Sequence, residues 1–421
     1  MPSGKHVINV CADRYQFAVG LAACVLTRKV CLLPPTRTPE VIRQLATFAP
    51  DVLCLTDEED CDIALPQVRV PQGSVSRPNA VSPWSVPEID GSQLVAHVFT
   101  SGSTGLPVPH PKSWGRLVRC IRDGAARLGF GNEHPHAVLA TVPPQHMYGF
   151  ESSVLLALQS GSALCAERPF YPADISSALA ALPRPRTLIS TPIHLRALLA
   201  SQADLPALDV IVSATAPLSQ ELALEAEQRF RAPLLEIYGS TESGQLATRR
   251  TAREEEWRLW PGVCLTIEEG RAWARGGHLE QPTLMCDELE PLDAERFLLR
   301  GRLGDLVNIA GKRSSLAYLT HQLNSIEGVE DGVFFFPEEP HPSDGGVARV
   351  AAAVVAPGLD AIRLTEALRQ RIDPVFLPRP LLFVERLPRN STGKLPREAI
   401  RSLAATSASV ATSAAADGIA S

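Results

Sequence analysis

Residues 99–112 read FTSGSTGLPVPHPK, in which small hydroxyl residues and glycines separate an apolar run from three prolines. Such a composition is typical of a flexible connector. It is also typical of a phosphate-binding loop, because glycines let backbone N–H groups approach an anion and hydroxyl groups add donors. The stretch lacks the Lys-Ser/Thr pair of a P-loop. The choice between these interpretations therefore depends on the rest of the chain.

Length and composition limit the class of protein. The chain has 421 residues, of which 45% are hydrophobic and 20% charged, as in soluble globular proteins. That length predicts two or more domains. The net charge of −6 and the absence of a dominant Lys/Arg cluster argue against a nucleic-acid partner.

Cysteine usage and the N-terminal residues indicate the compartment. The nine cysteines are scattered and form no CxxC pair, which favours reduced thiols over a disulfide framework or a zinc site. The apolar run FAVGLAACVL (17–26) is about half the length needed to span a bilayer. The first residues do not follow a signal-peptide pattern. We therefore expect a cytoplasmic protein without a membrane span.

Strand and helix patterns alternate along the first 230 residues, which predicts parallel βαβ units. Predicted strands cover 6–11, 30–35, 51–57, 94–100, 137–144, 162–167, 186–191 and 207–215, and predicted helices include 13–28, 39–50, 113–130 and 219–230. Residues 62–90 are rich in proline and are predicted to form a loop.

The expected fold is α/β, with a large N-terminal domain over residues 1–302 built on mostly parallel βαβ sheets. After about residue 300 the composition shifts, and a helix–strand–strand pattern predicts a small, mobile α+β C-terminal domain over 303–401. Residues 402–421 are rich in Ala and Ser, lack large apolar residues, and are predicted to be a disordered tail.

Three further clusters combine glycines with reactive side chains. LLEIYGSTESGQLATR (234–249) ends an apolar strand in an aromatic, a glycine, two hydroxyls and Glu242. Such a group could bind a base, phosphate and Mg²⁺, or could form a turn with an exposed carboxylate. FLLRGRLGDLVNIAGKRSS (297–315) could be a hinge or a solvated turn, and Lys394 in ERLPRNSTGKLPREAIR (385–401) could be catalytic or merely solvated.

In this order, the four clusters resemble the motifs of the adenylate-forming superfamily of acyl-CoA synthetases, aryl-acid ligases and peptide-synthetase adenylation domains. TSGSTGLP resembles the phosphate loop, YGSTE the adenine and magnesium motif, GRLGDLVNIAGKR the hinge, and PRNSTGK the catalytic-lysine motif. SATAPLS (213–219) resembles the segment that lines the adenine pocket. Five motifs in register make chance a poor explanation, so the opening stretch is interpreted as a phosphate-binding loop.

The resemblance implies a two-step reaction. A carboxylate attacks the α-phosphate of ATP to give an acyl adenylate and pyrophosphate, and a thiol then takes the acyl group. Thr241 would contact the α-phosphate, Glu242 would ligate Mg²⁺, and Lys394 would bridge the carboxylate and the α-phosphate. The remaining nucleotide contacts implied are Thr100, Ser101, Ser103 and Thr104 to the β- and γ-phosphates, Thr215, Ala216 and Pro217 at the adenine pocket, Tyr238 stacked on adenine, and Asp287 and Arg302 at the ribose.

The stretch PPQHMYGFESSVLLALQSG (143–161) resembles the acyl-pocket motif of the same superfamily. His146 would gate between the acyl and pyrophosphate sides, and Met147 and Tyr148 would shape the pocket. A histidine packed at the end of a strand is the structural alternative.

Three features depart from the superfamily pattern. Val108 occupies the usual lysine position of the phosphate loop, and Lys112 comes later. Gly304 replaces the usual Asp or Lys of the hinge, which should leave the hinge at least as free to rotate. The chain also begins near the first strand after the superfamily's usual opening segment of roughly fifty residues, which we interpret either as a truncated N-terminal domain or as a start codon assigned too late.

Within the superfamily, three stretches together look most like compact ligases of aryl-polyene and xanthomonadin-type pigment pathways: HMYGFESSVLLALQSG, VNIAGKRSSLAYLTHQLNSIEGVEDGVFFF and STGLPVPHPKSWG. That resemblance implies an aryl acid such as a hydroxybenzoate, or a related acyl acid, as the substrate and an acyl carrier protein as the thiol acceptor. The alternatives are an acyl-CoA synthetase that uses coenzyme A, and a degenerate protein that binds nucleotide or a carrier without catalysis.

Overall fold

The computed structural model describes most of the chain. The described residues are 4–34, 36–70, 86–101, 107–131, 134–302, 306–309, 312–337, 350–390, 395–396, 399–400 and 402. The predicted tail at 402–421 lies outside them apart from residue 402, as do Ser103, Thr104, Gly304 and Lys394.

The chain divides into two compact units. Unit 1 contains Met1–Ile267, Trp273–Leu284 and Pro291–Phe297, and unit 2 contains Glu268–Ala272, Met285–Glu290 and Leu298–Ser421. Both units combine helices with sheets, and the predicted α/β class is confirmed. The domain boundary at residue 302 and the mobility of the smaller domain stay predictions.

The first part of unit 1 is a sheet with two helices between its parallel strands and a third helix after its last strand. Its elements are β1 (His6–Asn9), α1 (Arg14–Leu26), β2 (Val30–Leu33), α2 (Pro39–Phe48), β3 (Leu53–Thr56), β4 (Gln67–Arg69), β5 (Leu94–Ser101), β6 (Pro107–Ser113) and α3 (Trp114–Leu128). The described strands lie in the order β4-β3-β1-β2-β5-β6, and all neighbours are parallel except β5 and β6.

The β5–β6 pair corrects the prediction of a loop over 99–112. Residues 107–113 form an edge strand whose Val108 lies opposite Thr100 and whose His110 lies opposite Val98. The three prolines occupy every second position of β6. Proline lacks the N–H donor and is tolerated in a sheet where that donor would face outward from an edge. The Pro-X-Pro-X-Pro pattern therefore fits an edge strand.

The predicted loop over 62–90 also contains a strand, the short β4, and residues 71–85 lie outside the described part of the chain.

The second part of unit 1 is a larger mixed sheet. Its elements are β7 (Ala137–Ala140), α4 (Met147–Gly149), a π-helix (Phe150–Leu155), α5 (Leu156–Ser160), β8 (Ala163–Leu164), α6 (Pro172–Ala181), β9 (Arg186–Ser190), α7 (Pro192–Ala200), β10 (Val210–Ser213), α8 (Gln220–Phe230), β11 (Leu234–Ser240), β12 (Gly244–Arg249) and β13 (Trp257–Leu259). The strands lie in the order β8-β7-β9-β10-β11-β12-β13. Those from β8 to β11 are parallel, and β12 and β13 are antiparallel to their neighbours.

The chain then forms β14 (Val263–Glu268), β15 (Arg271–Gly276), β16 (Thr283–Leu284), β17 (Asp287–Pro291) and β18 (Arg296–Arg302). In unit 2 the later elements are β19 (Leu306–Ile309), β20 (Lys312–Ser315), α9 (Leu316–Asn324), β21 (Asp331–Phe335), β22 (Ala351–Val355), α10 (Ala361–Arg369), a 3₁₀ turn (Pro374–Phe376) and β23 (Leu381–Phe383). The sheet β21-β22-β23 packs Phe334, Ala352 and Val354 against α9 and α10. This matches the helix–strand–strand pattern predicted after residue 300.

Helix ends in unit 1 follow local capping rules. The Asp13 side chain accepts a hydrogen bond from the Gln16 N–H at the start of α1, and Ser113 does the same for Arg116 at α3. Both contacts satisfy a backbone donor that the first helical turn leaves unpaired. Helix α3 ends at Gly129, whose φ of 82° is the left-handed conformation that glycine adopts at low cost. The main core of unit 1 lies between α1, α3 and the π-helix and includes Phe17, Leu117 and Phe150.

Candidate active site

The carboxyl ends of the parallel strands β7, β9, β10 and β11 lie at one edge of the second sheet, where α/β proteins place ligand sites. His146 follows β7, Thr215 follows β10, and Tyr238 lies near the end of β11. The fold thus brings three separately predicted motifs to the same edge of one sheet.

A tight turn joins β11 to β12 and contains Thr241 and Glu242. The Ser240 N–H donates to Ser243 Oγ at 3.0 Å, and the Ser243 N–H donates to Ser240 Oγ at 3.1 Å, so the two serines close the turn from both ends. A Cβ at Gly239 would lie 2.2 Å from the Gly244 carbonyl oxygen, which only glycine avoids. The YGSTES sequence therefore specifies a compact hairpin.

The β5–β6 hairpin meets this turn through His110. Its Nε2 lies 2.9 Å from Thr100 Oγ1 and 3.6 Å from Glu242 Oε1. The imidazole is 16% exposed, whereas the Glu242 carboxylate is 48% exposed. A predicted phosphate ligand and the predicted metal ligand are thus brought within reach of one side chain that the sequence analysis did not single out. Ser101 ends β5, and only its backbone is described.

The electrostatics at Glu242 favour its charged form. Burial alone would raise the pKa of Glu242, but its own backbone N–H, the Ser240 hydroxyl and the positive charges of His110 and Lys112 hold that pKa below its usual range. Burial lowers the pKa of His110, against the opposite effect of Glu242. The site thus contains an ionised carboxylate suited to a cation.

The adenine-pocket motif contains a backbone outlier. Thr215 has a φ of 83°, which is uncommon for a β-branched residue and costs on the order of 1–3 kcal/mol. Ala216 is half-buried and Pro217 exposed directly after it. Tyr238 is 7% exposed, and its ring centroid lies 5.6 Å from Trp257 and 5.5 Å from Phe297. This aromatic packing holds Tyr238 at the end of its strand.

The acyl-pocket motif forms an unusual helix. His146 is its half-buried N-cap, and the following α4 passes into a π-helix of six residues before α5. Such π-turns are rare and often occur at functional sites. The Tyr148 hydroxyl donates to the Val212 carbonyl at 3.0 Å, so this helix contacts β10 directly. Met147 is buried in the main core.

A buried arginine supports the same segment. Arg14 is fully buried at the start of α1 and donates to the carbonyls of Ala140 at 2.9 Å and Val142 at 2.8 Å, and to Ser153 Oγ at 2.7 Å. Burial lowers the pKa of Arg14 to about 10. The three contacts link the first sheet to the chain between β7 and the π-helix, which carries His146.

A buried charge cluster lies behind the Thr241 turn. Lys112 is fully buried, and its Nζ donates to the Thr241 carbonyl. Burial lowers the pKa of Lys112 to about 8 and raises the pKa of Glu151 to about 7, and each group opposes the shift of the other. Glu151 also accepts a contact from Cys120 Sγ at 3.7 Å. Sequence reasoning missed Glu151, although a carboxylate within the apolar run FESSVLLAL was an available signal.

Two of the remaining predicted residues, both in unit 2, lie within the described part of the chain. Asp287 begins β17 and is half-buried, and Arg302 ends β18 with only its backbone described. Lys394 lies outside the described residues, as do Ser103 and Thr104. Their predicted roles stay predictions.

The donor set near Glu242 fits a magnesium ion held largely by phosphate. Mg²⁺ usually binds one or two carboxylates together with substrate phosphates and water. Glu242 supplies one accessible carboxylate, and the described residues contain no group of three His, Cys, Asp or Glu side chains that could enclose a metal.

Comparisons with known proteins identify the family of the chain. The model of the AMP-binding enzyme family matches residues 5–269, more than half of the chain. Over 310 residues the chain is 32% identical to the 4-coumarate–CoA ligase of Halorhodospira halophila, covering 70% of this chain and 73% of that protein.

Two solved structures are similar in fold. ATP-bound MatB from Rhodopseudomonas palustris has a TM-score of 0.79 at 18% identity, over 96% of this chain and 89% of that one. The anthranilate CoA ligase AuaEII in complex with anthranoyl-AMP has a TM-score of 0.80 at 16% identity, over 97% and 89%. At these identities the likeness shows a shared fold.

The chain therefore belongs to the AMP-binding enzyme family, and by class it is an acid–thiol ligase that forms AMP. Within the described ranges, no helix has the length and apolar character needed to cross a bilayer.

Proposed function

We propose that the protein activates an aryl acid, such as a hydroxybenzoate, with ATP and transfers the acyl group to the thiol of an acyl carrier protein. The observation that carries the nucleotide half of the proposal is the position of His110 between Thr100 and Glu242. It joins the phosphate-loop hairpin to the turn with the predicted magnesium ligand. An aromatic acid is supported by a relative named a 4-coumarate–CoA ligase.

In the first step, a substrate carboxylate oxygen bonds to the α-phosphorus of ATP while the bond to the bridging oxygen breaks and pyrophosphate leaves. Thr241 would donate to an α-phosphate oxygen, and Lys394 would bridge that phosphate and the carboxylate. Mg²⁺ held at Glu242 would neutralise phosphate charge. Preorganised donors and cations stabilise the charge that develops in the transition state.

The adenosine part would bind at the edge of the second sheet. Tyr238 would stack on adenine, the strained turn at Thr215, Ala216 and Pro217 would line its pocket, and Asp287 with Arg302 would hold the ribose. The acyl group would lie along the π-helix segment that begins at His146. In the second step a thiolate attacks the acyl carbonyl and AMP leaves, after the predicted C-terminal domain over 303–401 rotates about the hinge and withdraws Lys394.

The proposal is tested by acid-dependent exchange of pyrophosphate into ATP over a panel of hydroxybenzoates, cinnamates and fatty acids. Exchange with an aryl acid supports the proposed substrate class, whereas preference for a fatty acid would contradict it. The absence of exchange with every acid, together with intact ATP binding, would favour a protein that binds nucleotide without catalysis.

The acceptor needs a separate measurement. Relatives named as CoA ligases support coenzyme A as the alternative acceptor. Single-turnover transfer from the preformed adenylate to either coenzyme A or a phosphopantetheinylated carrier protein separates the two. Faster transfer to the carrier supports a carrier ligase of the pigment-pathway type, and faster transfer to coenzyme A would replace that proposal with an acyl-CoA synthetase.

A further inference from the structure

Three consecutive carbonyl groups of the β11–β12 turn each accept a hydrogen bond from a basic side chain that lies outside the turn. Lys112 Nζ, from β6, donates to the Thr241 carbonyl, and an Arg116 guanidinium nitrogen, from α3, donates to the Glu242 carbonyl. Nε2 of His278, which follows β15, donates to the Ser243 carbonyl at 2.9 Å. We call these three side chains the turn support.

Lys112 is poorly placed to bind phosphate itself. It is fully buried, whereas a phosphate ligand must be reachable from the nucleotide cleft. Its ammonium group is committed to a main-chain carbonyl and interacts with the buried Glu151 carboxylate. In the superfamily pattern, a lysine at the position of Val108 contacts phosphate. Lys112 comes four residues later, and because it is buried and bonded to the Thr241 carbonyl, it does not replace that phosphate contact.

The chemistry of the turn support accounts for a lysine in such a buried position. Hydrogen bonds from a charged donor are stronger than those between neutral groups, and in a buried setting they are screened less by water. Removing Lys112 would leave the half-buried Thr241 carbonyl without its donor and the buried Glu151 carboxylate without the cation that acts on it most strongly, which is costly. The turn is also linked to the acyl-pocket helix, because Gln245 Nε2 donates to Ser152 Oγ at 3.0 Å.

We propose that Lys112, Arg116 and His278 are positioning residues that hold the Thr241–Glu242 main chain in the geometry required for contact with the α-phosphate and Mg²⁺. The inference rests on the proposed nucleotide chemistry and deepens it. Lys112 is the central member because it is the fully buried cation of the three.

The first test compares Lys112→Met with Lys29→Met. Lys29 is a matched control, since it is also buried and also donates to a main-chain carbonyl, that of Gly4. Both residues lie just before strands of the first sheet. We expect Lys112→Met to lower the rate constant of pyrophosphate exchange about ten- to a hundredfold, as misplacement of a binding group by about 1 Å does. Lys29→Met should leave the rate within twofold. Lys112→Arg, which keeps the charged donor, should recover part of the loss.

A binding measurement distinguishes support from direct phosphate contact. Calorimetric titration should show weaker binding of both ATP and AMP to Lys112→Met, because Thr241 contacts the α-phosphate that both nucleotides carry. Weaker binding of ATP with unchanged binding of AMP would overturn the proposal, since it would indicate a direct contact with the β- or γ-phosphate. Because this readout requires no acid, it still tests the turn support if wild-type protein exchanges with no acid in the panel.

A second variant, Arg116→Gln, tests the same inference if Lys112→Met does not fold. Arg116 is only half-buried, so Arg116→Gln should fold, and Arg119→Gln makes the same charge change one turn further along α3 at an exposed position. We expect a loss in exchange rate of about three- to tenfold for Arg116→Gln and none for Arg119→Gln. Equal rates for both variants, together with a full rate for folded Lys112→Met, would refute the turn support.

Discussion

At the residue scale, the site depends on a few charges whose environments differ sharply. Glu242 is half-exposed and held in its ionised form, whereas Glu151 is buried and its pKa is raised to about 7. The first carboxylate is suited to binding a cation that also contacts phosphate, and the second is suited to a buried network. Environment, rather than residue type, separates their roles.

Replacing Glu242 by glutamine should remove the carboxylate charge while keeping the size of the side chain. We expect acid-dependent exchange to fall about a hundred- to a thousandfold, the typical loss for one group that stabilises transition-state charge. Exchange kinetics at several Mg²⁺ concentrations measure the effect. Glu225→Gln, at an exposed position of α8, is the control, and equal activity of the two variants would remove Glu242 from the site.

His278 should make the protein sensitive to acid. Burial, together with the charges of Arg116, Lys112 and Arg119, lowers the pKa of His278 to about 4, against about 6.5 when unfolded. Between these values the unfolded chain binds a proton that the native protein does not. The free energy of unfolding should therefore fall as the pH drops from 6.5 to 4, by on the order of 3 kcal/mol for this group.

Urea unfolding at pH 7.5 and pH 5 measures this contribution of His278. His278→Gln keeps an amide donor for the Ser243 carbonyl but does not titrate, so it should depend less on pH than the wild type. The exposed His134→Gln should behave as the wild type does. A pH dependence unchanged by His278→Gln would contradict the assignment.

At the element scale, the π-helix and the turn before it form one packed unit. A Cβ on Gly149 would lie 2.0 Å from the Pro143 carbonyl oxygen, and the His146 N–H donates to that same carbonyl at 3.3 Å. The close approach of α4 to the chain after β7 thus sets the backbone of the predicted gating histidine.

Gly149→Ala should therefore disturb both stability and activity. We expect a loss of about 1–3 kcal/mol in the free energy of unfolding, the usual cost of overpacking, and a higher KM for the acid. Denaturant titration and exchange kinetics measure the two effects. Gly131→Ala is the control, because a Cβ there meets no atom within 4 Å. If Gly149→Ala matches that control in both measurements, the packing argument fails.

At the scale of the whole molecule, the reaction would need residues from both units. Thr241 and Glu242 belong to unit 1, whereas Asp287, Arg302 and Lys394 belong to unit 2. In the proposed mechanism Lys394 would act in the first half-reaction and not in the second.

Lys394→Ala should abolish adenylate formation and leave ATP binding and stability unchanged. The physical reason is that the lysine charge would act on the developing pentavalent phosphorus rather than on bound ATP. Exchange assays and calorimetric titration of ATP separate the two outcomes, with Lys5→Ala at an exposed position as the control. Normal exchange by Lys394→Ala would show that this lysine is not catalytic.

The sequence by itself determined what depends on local pattern. Alternating apolar runs predicted the α/β class, since strand and helix periodicities are local properties. The order of the motifs predicted the family. It also singled out four residues that lie on strands or in the turn between them: Thr100 on β5, Tyr238 on β11, and Thr241 and Glu242 between β11 and β12. The capping residues Asp13 and Ser113 likewise act within one helical turn.

Only the tertiary structure decided which distant side chains meet. The Pro-rich stretch after the predicted phosphate loop forms an edge strand because its partner β5 is available, and His110 reaches Thr100 and Glu242 through that pairing. Lys112 and Glu151 acquired their shifted pKa values from burial against elements far away in sequence. Burial and long-range contact depend on packing, which no short window of sequence contains.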